Sequence, residues 1–444
     1  MIFYQNHSVH SLFNFLKKKK ILLVVFFFYS YRFIDSLFWF HPFDVSTDSD
    51  THWAYLAATT FDFIDTKWDF PKFVYGPWYY FFTAYTFGPL FFSAYYFGLI
   101  TVHEAAMYSF LSSNYVLSLI FLIGTFRLSE KLFKKKISRD IYFLLVTLLP
   151  FANKNFYNYT VENLILAFMP WIILYIFKAI ELNKINHWIK LSFFLSLAAS
   201  SKISILIPCL ILIFGFSILY LLINKKFLYN FFIPILFTLI MVLASNFITK
   251  SSLFVNYDAG NVERNYPGLK NYSVFYKADL IDSFNNPLFP NQKYSWINMW
   301  SLDFFGDYFG TIKSKHRHSK KTSAVSVENN LNRVSLIITP FFIIWYFFCL
   351  FKTISKKLFT YGNFISIFFF AIFFEQVAYC FAVFNPELAN SFDMRYWVFY
   401  IFFLTYPIAK YVDKLESKKY KIFHWYITIF LCLLSLNQMM LIFI

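Results

Sequence analysis

Glycine is nearly missing from this chain, at 10 of 444 residues. Transmembrane helices that cross closely lean on glycine, so a channel built on such crossings is not expected. Cysteine is sparse too. Cys209, Cys349, Cys380 and Cys432 all lie in apolar runs, without metal-ligand spacing or a disulfide framework. Charge is the third shortage: 14% of residues, against 59% hydrophobic and a mean hydropathy of +0.51. A soluble domain this long needs far more polar surface to cover one core. No internal repeat is visible, which counts against an inverted-repeat transporter. Nor is there a Ser/His/Asp or Cys/His arrangement of the kind that activates a nucleophile, or a His pair with metal spacing.

What is present is a succession of apolar runs with lysines at their ends. The formal charge of +16 therefore marks topology, not nucleic-acid binding. The run Ile21–Phe40 follows Lys17–Lys20 and is long enough to span, at roughly 20 residues. His41-Pro42-Phe43 offers no signal-peptide cleavage site, so this span stays and the chain emerges outside. Both Pro77–Ile100 and Ala105–Phe126 are apolar, but only one can cross if the cations from Arg127 to Arg139 are to face the cytoplasm. Pro77–Ile100 is broken by Gly88-Pro89 and Gly98, so it is read as interfacial helices, and Ala105–Phe126 as the second span.

Further spans are expected at Ile141–Phe151, Val161–Phe177, Ile189–Ser200, Ile203–Ile223 and Phe227–Phe247. After a long outer loop come Val334–Phe351, Phe364–Phe384, Tyr396–Ile408 and Ile422–Phe443. The expectation is an all-α integral membrane protein with about eleven transmembrane helices. Residues 1–247 form a first module containing the acidic outer loop 41–103. Residues 248–333 form an extracytoplasmic loop, and residues 334–444 the last helices.

The acids gather outside. Asp44, Asp48 and Asp50 follow the first span. Asp50 can cap a helix starting at Thr51, or serve as a catalytic base whose carboxyl is partly desolvated at the membrane surface. Three acids in seven residues can also hold a divalent cation. Glu162 opens a span and can be its cap. Lys202 sits in an apolar turn, so it either snorkels or meets an anion such as a lipid phosphate. Arg395 can pair with Asp393 or Glu387, or hold a phosphate through its planar fork. Trp300–Gly310 interleaves aromatics with Asp303 and Asp307. Such a stretch suits sugar binding or an interfacial helix. Lys313–Lys321 reads as a solvated linker, or as an attractor of lipid phosphate.

The order of span, acidic Asp50-to-Tyr55 segment, aromatic Tyr75-Gly76-Pro77-Trp78-Tyr79-Tyr80 stretch and second span resembles the first outer loop of GT-C glycosyltransferases. These include protein O-mannosyltransferases and aminoarabinose transferases. The turn Ala198–Lys202, the Thr160–Leu164 stretch and Asp393–Trp397 resemble further family features. One proline of the aromatic stretch is glycine here, and the Asp-Glu pair reads Asp50-Thr51. The resemblance implies transfer of a sugar from a polyprenyl-phosphate donor to a lipid, glycan or protein hydroxyl. It would act in the plasma membrane on the extracytoplasmic face, with no required cofactor. It makes Asp50 the base with Asp48 in reserve, Lys202 and Arg395 the phosphate-binding cations, and Glu162, Tyr55, Trp78, Asp303 and Asp307 substrate contacts. Two other readings remain. An O-antigen ligase or polymerase would use Arg264, His316, Arg317 and His318. A lipid-linked-sugar flippase would want mid-span polar groups, of which Glu375-Gln376 is the visible example.

Overall fold

The apolar runs fold as helices. The computed structural model describes residues 20–39, 77–149, 160–202, 205–226, 228–249, 280–287, 301–302, 304–306, 322–353 and 400–440. Residues 156, 365 and 367–368 are also described. Among these residues there is no strand. In chain order the helices are α1 (Lys20–Trp39), α2 (Trp78–Thr86), α3 (Gly88–Tyr96), α4 (Val102–Leu132), α5 (Lys136–Leu148), α6 (Glu162–Leu182) and α7 (Ile185–Ser201). They continue with α8 (Leu206–Asn224), α9 (Phe232–Thr249), α10 (Leu280–Asn285), α11 (Thr322–Thr353), α12 (Ile401–Lys414) and α13 (Lys418–Met440).

Four of the described helices are long and apolar enough to cross a membrane: α4, α6, α8 and the Asn329–Thr353 part of α11. The chain is thus an all-α, membrane-embedded protein. The apolar stretch after Pro77 breaks where glycine and proline meet. α2 and α3 have nine residues each, too short to cross singly. The expected ninth span, Phe364–Phe384, lies almost wholly outside the described residues.

α4 is the hub, in contact with α1, α2, α3, α5 and α6. Its start is fixed by a capping box. Thr101 accepts from the Glu104 amide, and Glu104 accepts from the Thr101 amide at 2.7 Å. Its 31 residues measure about 46 Å, so its ends reach past a bilayer core of about 30 Å. Where membrane helices commonly use glycine for close approach, α4 uses serine: Ser109, Ser112, Ser113, Ser118 and Ser129 are all buried. Ser109, Ser118 and Ser129 return their hydroxyls to carbonyls three or four residues back on their own helix.

One face of the bundle is basic. Lys135, before α5, donates to the Asp413 carbonyl at the end of α12. Ser138 donates to the Asp413 carboxylate at 2.6 Å. Lys414 donates to the Thr353 carbonyl that ends α11, and Lys131 pairs with Glu181 at the end of α6. The end of α12 therefore meets the start of α5 and the end of α11, and the end of α4 meets that of α6, the grouping that the charge rule requires of spans sharing one orientation.

The long outer loop was expected to last until Arg333, yet α11 starts at Thr322, inside it. The early turns are held by docking. Arg333 donates to the Phe284 and Asn285 carbonyls, closing the C-terminus of α10, and Ser335 donates to the Ser301 carbonyl.

Candidate polar site between α2, α4, α6 and α7

At the start of α6, Glu162 is buried despite its charge. The C-cap of α7, Lys202, places Nζ 2.5 Å from Glu162 Oε1, with side chains 10% and 7% exposed respectively. The turn before α8 thus delivers its lysine to a carboxylate. Of the two choices the sequence left open for Lys202, it takes an anion, and that anion is the protein's own Glu162. Two full charges out of water are stable only as a closely bonded pair.

A neutral network adjoins the pair. Asn163 Nδ2 donates to Asn114 Oδ1 at 3.1 Å, and the Tyr79 hydroxyl donates to the same oxygen at 2.9 Å. Tyr79 also interacts with Asn163 and lies within electrostatic reach of Glu162. Four elements converge here: α2 supplies Tyr79, α4 Asn114, α6 Glu162 and Asn163, and the end of α7 Lys202. The hydroxyls of Thr160, Ser200 and Thr83 are buried, and find no hydrogen-bond partner among the described residues. Thr160 and Ser200 each stand two residues ahead of a member of the ion pair. Buried hydroxyls of this kind are open positions for a water or a substrate oxygen.

Asn114 also lines a narrow cleft on its other side, with Tyr29, Arg32, Phe33 and Ser36 of α1 and Tyr115 and Ser118 of α4. Arg32 is only 2% exposed, although it sits in the middle of an apolar helix. A buried arginine in an apolar helix is costly, and in a membrane span such a residue marks a functional position by default. The cleft has room for about one water and none for a sugar ring. Sequence reasoning passed over both Arg32 and Asn114, having taken the mid-span segments as almost uniformly apolar. The signals were an Arg inside the first apolar run and an Asn inside a Ser-rich run.

The remaining predicted residues divide as follows. Trp78 is half-buried and donates Nε1 to Ser245 Oγ at 2.8 Å, so its polar edge already ties α2 to α9. Asp48, Asp50, Tyr55, Asp303, Asp307 and Arg395 lie outside the described residues, as do Asp44, Glu375, Gln376 and the run 313–321. Phe304 and Phe305 are described and buried. Their rings pack on each other and on Phe342, with centroids 4.9 to 5.5 Å apart. The sugar-stacking surface expected of this aromatic stretch is therefore not supplied by these two rings, because docking on α11 turns them inward. Gly306 makes that docking possible, since a Cβ there would stand 1.9 Å from the Leu302 carbonyl oxygen. Among the described residues, no three His, Cys, Asp or Glu side chains gather as a metal set.

Comparison of the chain with protein-family models, with curated proteins and with solved structures gives no match.

Proposed function

We propose that this chain is an integral-membrane glycosyltransferase of the GT-C type. In this reading it moves a sugar from a polyprenyl-phosphate donor to a hydroxyl acceptor on the extracytoplasmic face. One observation carries the reading. Three segments that resemble the family, far apart in sequence, meet in one place: Tyr79 from the aromatic stretch, Glu162 with Asn163, and Lys202 from the turn after α7.

In this mechanism Glu162 keeps Lys202 charged and oriented inside a poorly solvated site. An arriving donor phosphate competes for that ammonium, and Arg395 gives a second cation. Asp50 removes the proton from the acceptor hydroxyl. The freed oxygen attacks the anomeric carbon, the bond from that carbon to the phosphate oxygen breaks, and polyprenyl phosphate leaves with its electron pair. Fixed cations stabilise the charge on the leaving group. A single in-line displacement inverts the anomeric centre. The acids at 44, 48 and 50 keep a divalent cation open as a further partner for the phosphate. The test is donor consumption by purified protein, supplied with polyprenyl-phosphate hexoses and pentoses and simple hydroxyl acceptors. Wild type is expected to exceed Asp50→Asn by about a thousandfold. Equal rates would remove Asp50 as the base, and no consumption of any donor by wild type would sink the glycosyltransferase reading.

Arg32 favours a second reading, movement of a lipid-linked sugar across the bilayer. A cation buried in α1 beside Asn114 is the mid-span polar group that a flippase needs. The two readings part in sealed vesicles without acceptor. A flippase moves the intact donor between leaflets, whereas a transferase leaves it where it was.

A further inference from the structure

A second charged feature lies toward the opposite end of α6 from the ion pair, with Lys178 about 24 Å from Glu162 by helix rise. α6 and α7 form a hairpin through Asn183, which takes the left-handed conformation (φ 45°) and receives the Trp188 indole N–H on its side chain at 3.3 Å. Near this turn, three rings stand almost parallel. Tyr175 and Phe194 are 5.8 Å apart at 11°, and Trp171 and Phe194 are 5.7 Å apart at 13°. His187 extends the stack, 6.2 Å from Tyr175. The stack is braced from behind. Trp171 donates to the Ile120 carbonyl of α4 at 3.0 Å, and its indole fills the space that a Cβ would take at Gly124.

Two cations share this floor. Lys178 and Lys190 lie 5.4 and 5.8 Å from the centre of the Tyr175 ring. Arg127 and Lys131 of α4 act electrostatically on Lys178, as does Lys190. Lys131 is answered by Glu181, and Arg127 lies 3.4 Å from Glu130. Lys178 and Lys190 have no carboxylate within ion-pair distance among the described residues. Alongside them, Ile185, Ile189 and Phe193 are each more than half exposed. The positions have a regular origin: Trp171, Tyr175 and Lys178 recur every three or four residues on α6, as do His187, Lys190 and Phe194 on α7.

We propose that this shelf binds the phosphate headgroup of an anionic phospholipid, with Lys178 and Lys190 on the phosphate and an acyl chain along Ile189 and Phe193. Like charges that share one ring repel, and an anion between them removes that repulsion. The aromatic floor is amphipathic, as residues at the headgroup level are. The apolar surface beside it continues the site toward hydrocarbon, which a soluble phosphate does not need. By the charge rule this end faces the cytoplasm, where anionic lipids concentrate.

Native mass spectrometry of the full chain in detergent tests this, with phosphatidylglycerol and phosphatidylcholine of identical chains as probes. Wild type is expected to prefer phosphatidylglycerol by about tenfold, and Lys178→Gln/Lys190→Gln to lose most of that preference. Lys225→Gln/Lys226→Gln removes equal charge elsewhere and is expected to keep it. A loss as large in this control, or displacement of the lipid by millimolar inorganic phosphate, overturns the proposal. A photoactivatable phosphatidylglycerol on the wild-type chain gives a check that needs no variant. Labels within 171–194 support the shelf, and labels found only elsewhere overturn it.

Discussion

Glu162 and Lys202 are the residues on which most else turns. Removing one charge of a buried pair strands the other, a loss of about 3–5 kcal/mol in proteins generally. Glu162→Gln is therefore expected to lower thermal stability in detergent sharply. Glu162→Gln combined with Lys202→Met is expected to recover a good part of the loss, because no uncompensated charge is left. If the double variant is as unstable as the single, the 2.5 Å contact is not what holds the turn. Each residue had drawn notice in the sequence as a charge next to an apolar run. Their pairing was not legible, since 40 positions separate them and nothing local to either names its partner. Asn114 and Arg32 show the complementary failure. Each is a single polar residue in an apolar run, and averaging over the run hides it.

At the level of elements, helix positions were largely readable, because long apolar runs edged by lysine leave little choice of structure in lipid. The break at Gly88-Pro89 was readable for the same kind of local reason. Which way an element faces was not. Phe304 and Phe305 read as a surface for sugar until docking on α11 turns them inward, a long-range contact with no local signature. Helix contacts were not readable either: buried serines line α4, and the rare Gly124 sits where the Trp171 indole needs its space. A Cβ at position 124 would lie 2.5 Å from Trp171 Nε1. Gly124→Ala is expected to cost about 1–3 kcal/mol in unfolding assays. The same change in a Trp171→Leu background should cost much less. Equal costs in the two backgrounds would mean that α4 and α6 do not meet at this point.

For the whole molecule, the structure groups basic helix ends that the charge rule assigns to one side. The contacts of Lys135 and Ser138 with Asp413, and of Lys414 with Thr353, bring together basic ends drawn from separate parts of the chain. Reporter tags after Lys135 and after Glu416 are expected to read the cytoplasm, and one after Phe97 the outside. A tag after Lys135 that reads outside would undo the threading and, with it, the lipid-shelf orientation.

The serine-lined hub bears on how such a chain is made. Of the four helices apolar enough to cross, α4 is the least apolar, and its Asn114 and serines are hidden only by neighbouring helices. A segment of that kind partitions into lipid less readily than the other three if released alone from the insertion machinery. α1, α2 and α3, already synthesised and packed against α4 in the finished fold, are the neighbours available at that moment. The Ser30 and Tyr115 hydroxyls, 2.7 Å apart, then bond while the rest of the bundle is still being synthesised. Membrane insertion of this protein is on that view a cooperative event, in which the helices made before α4 shelter its polar side chains.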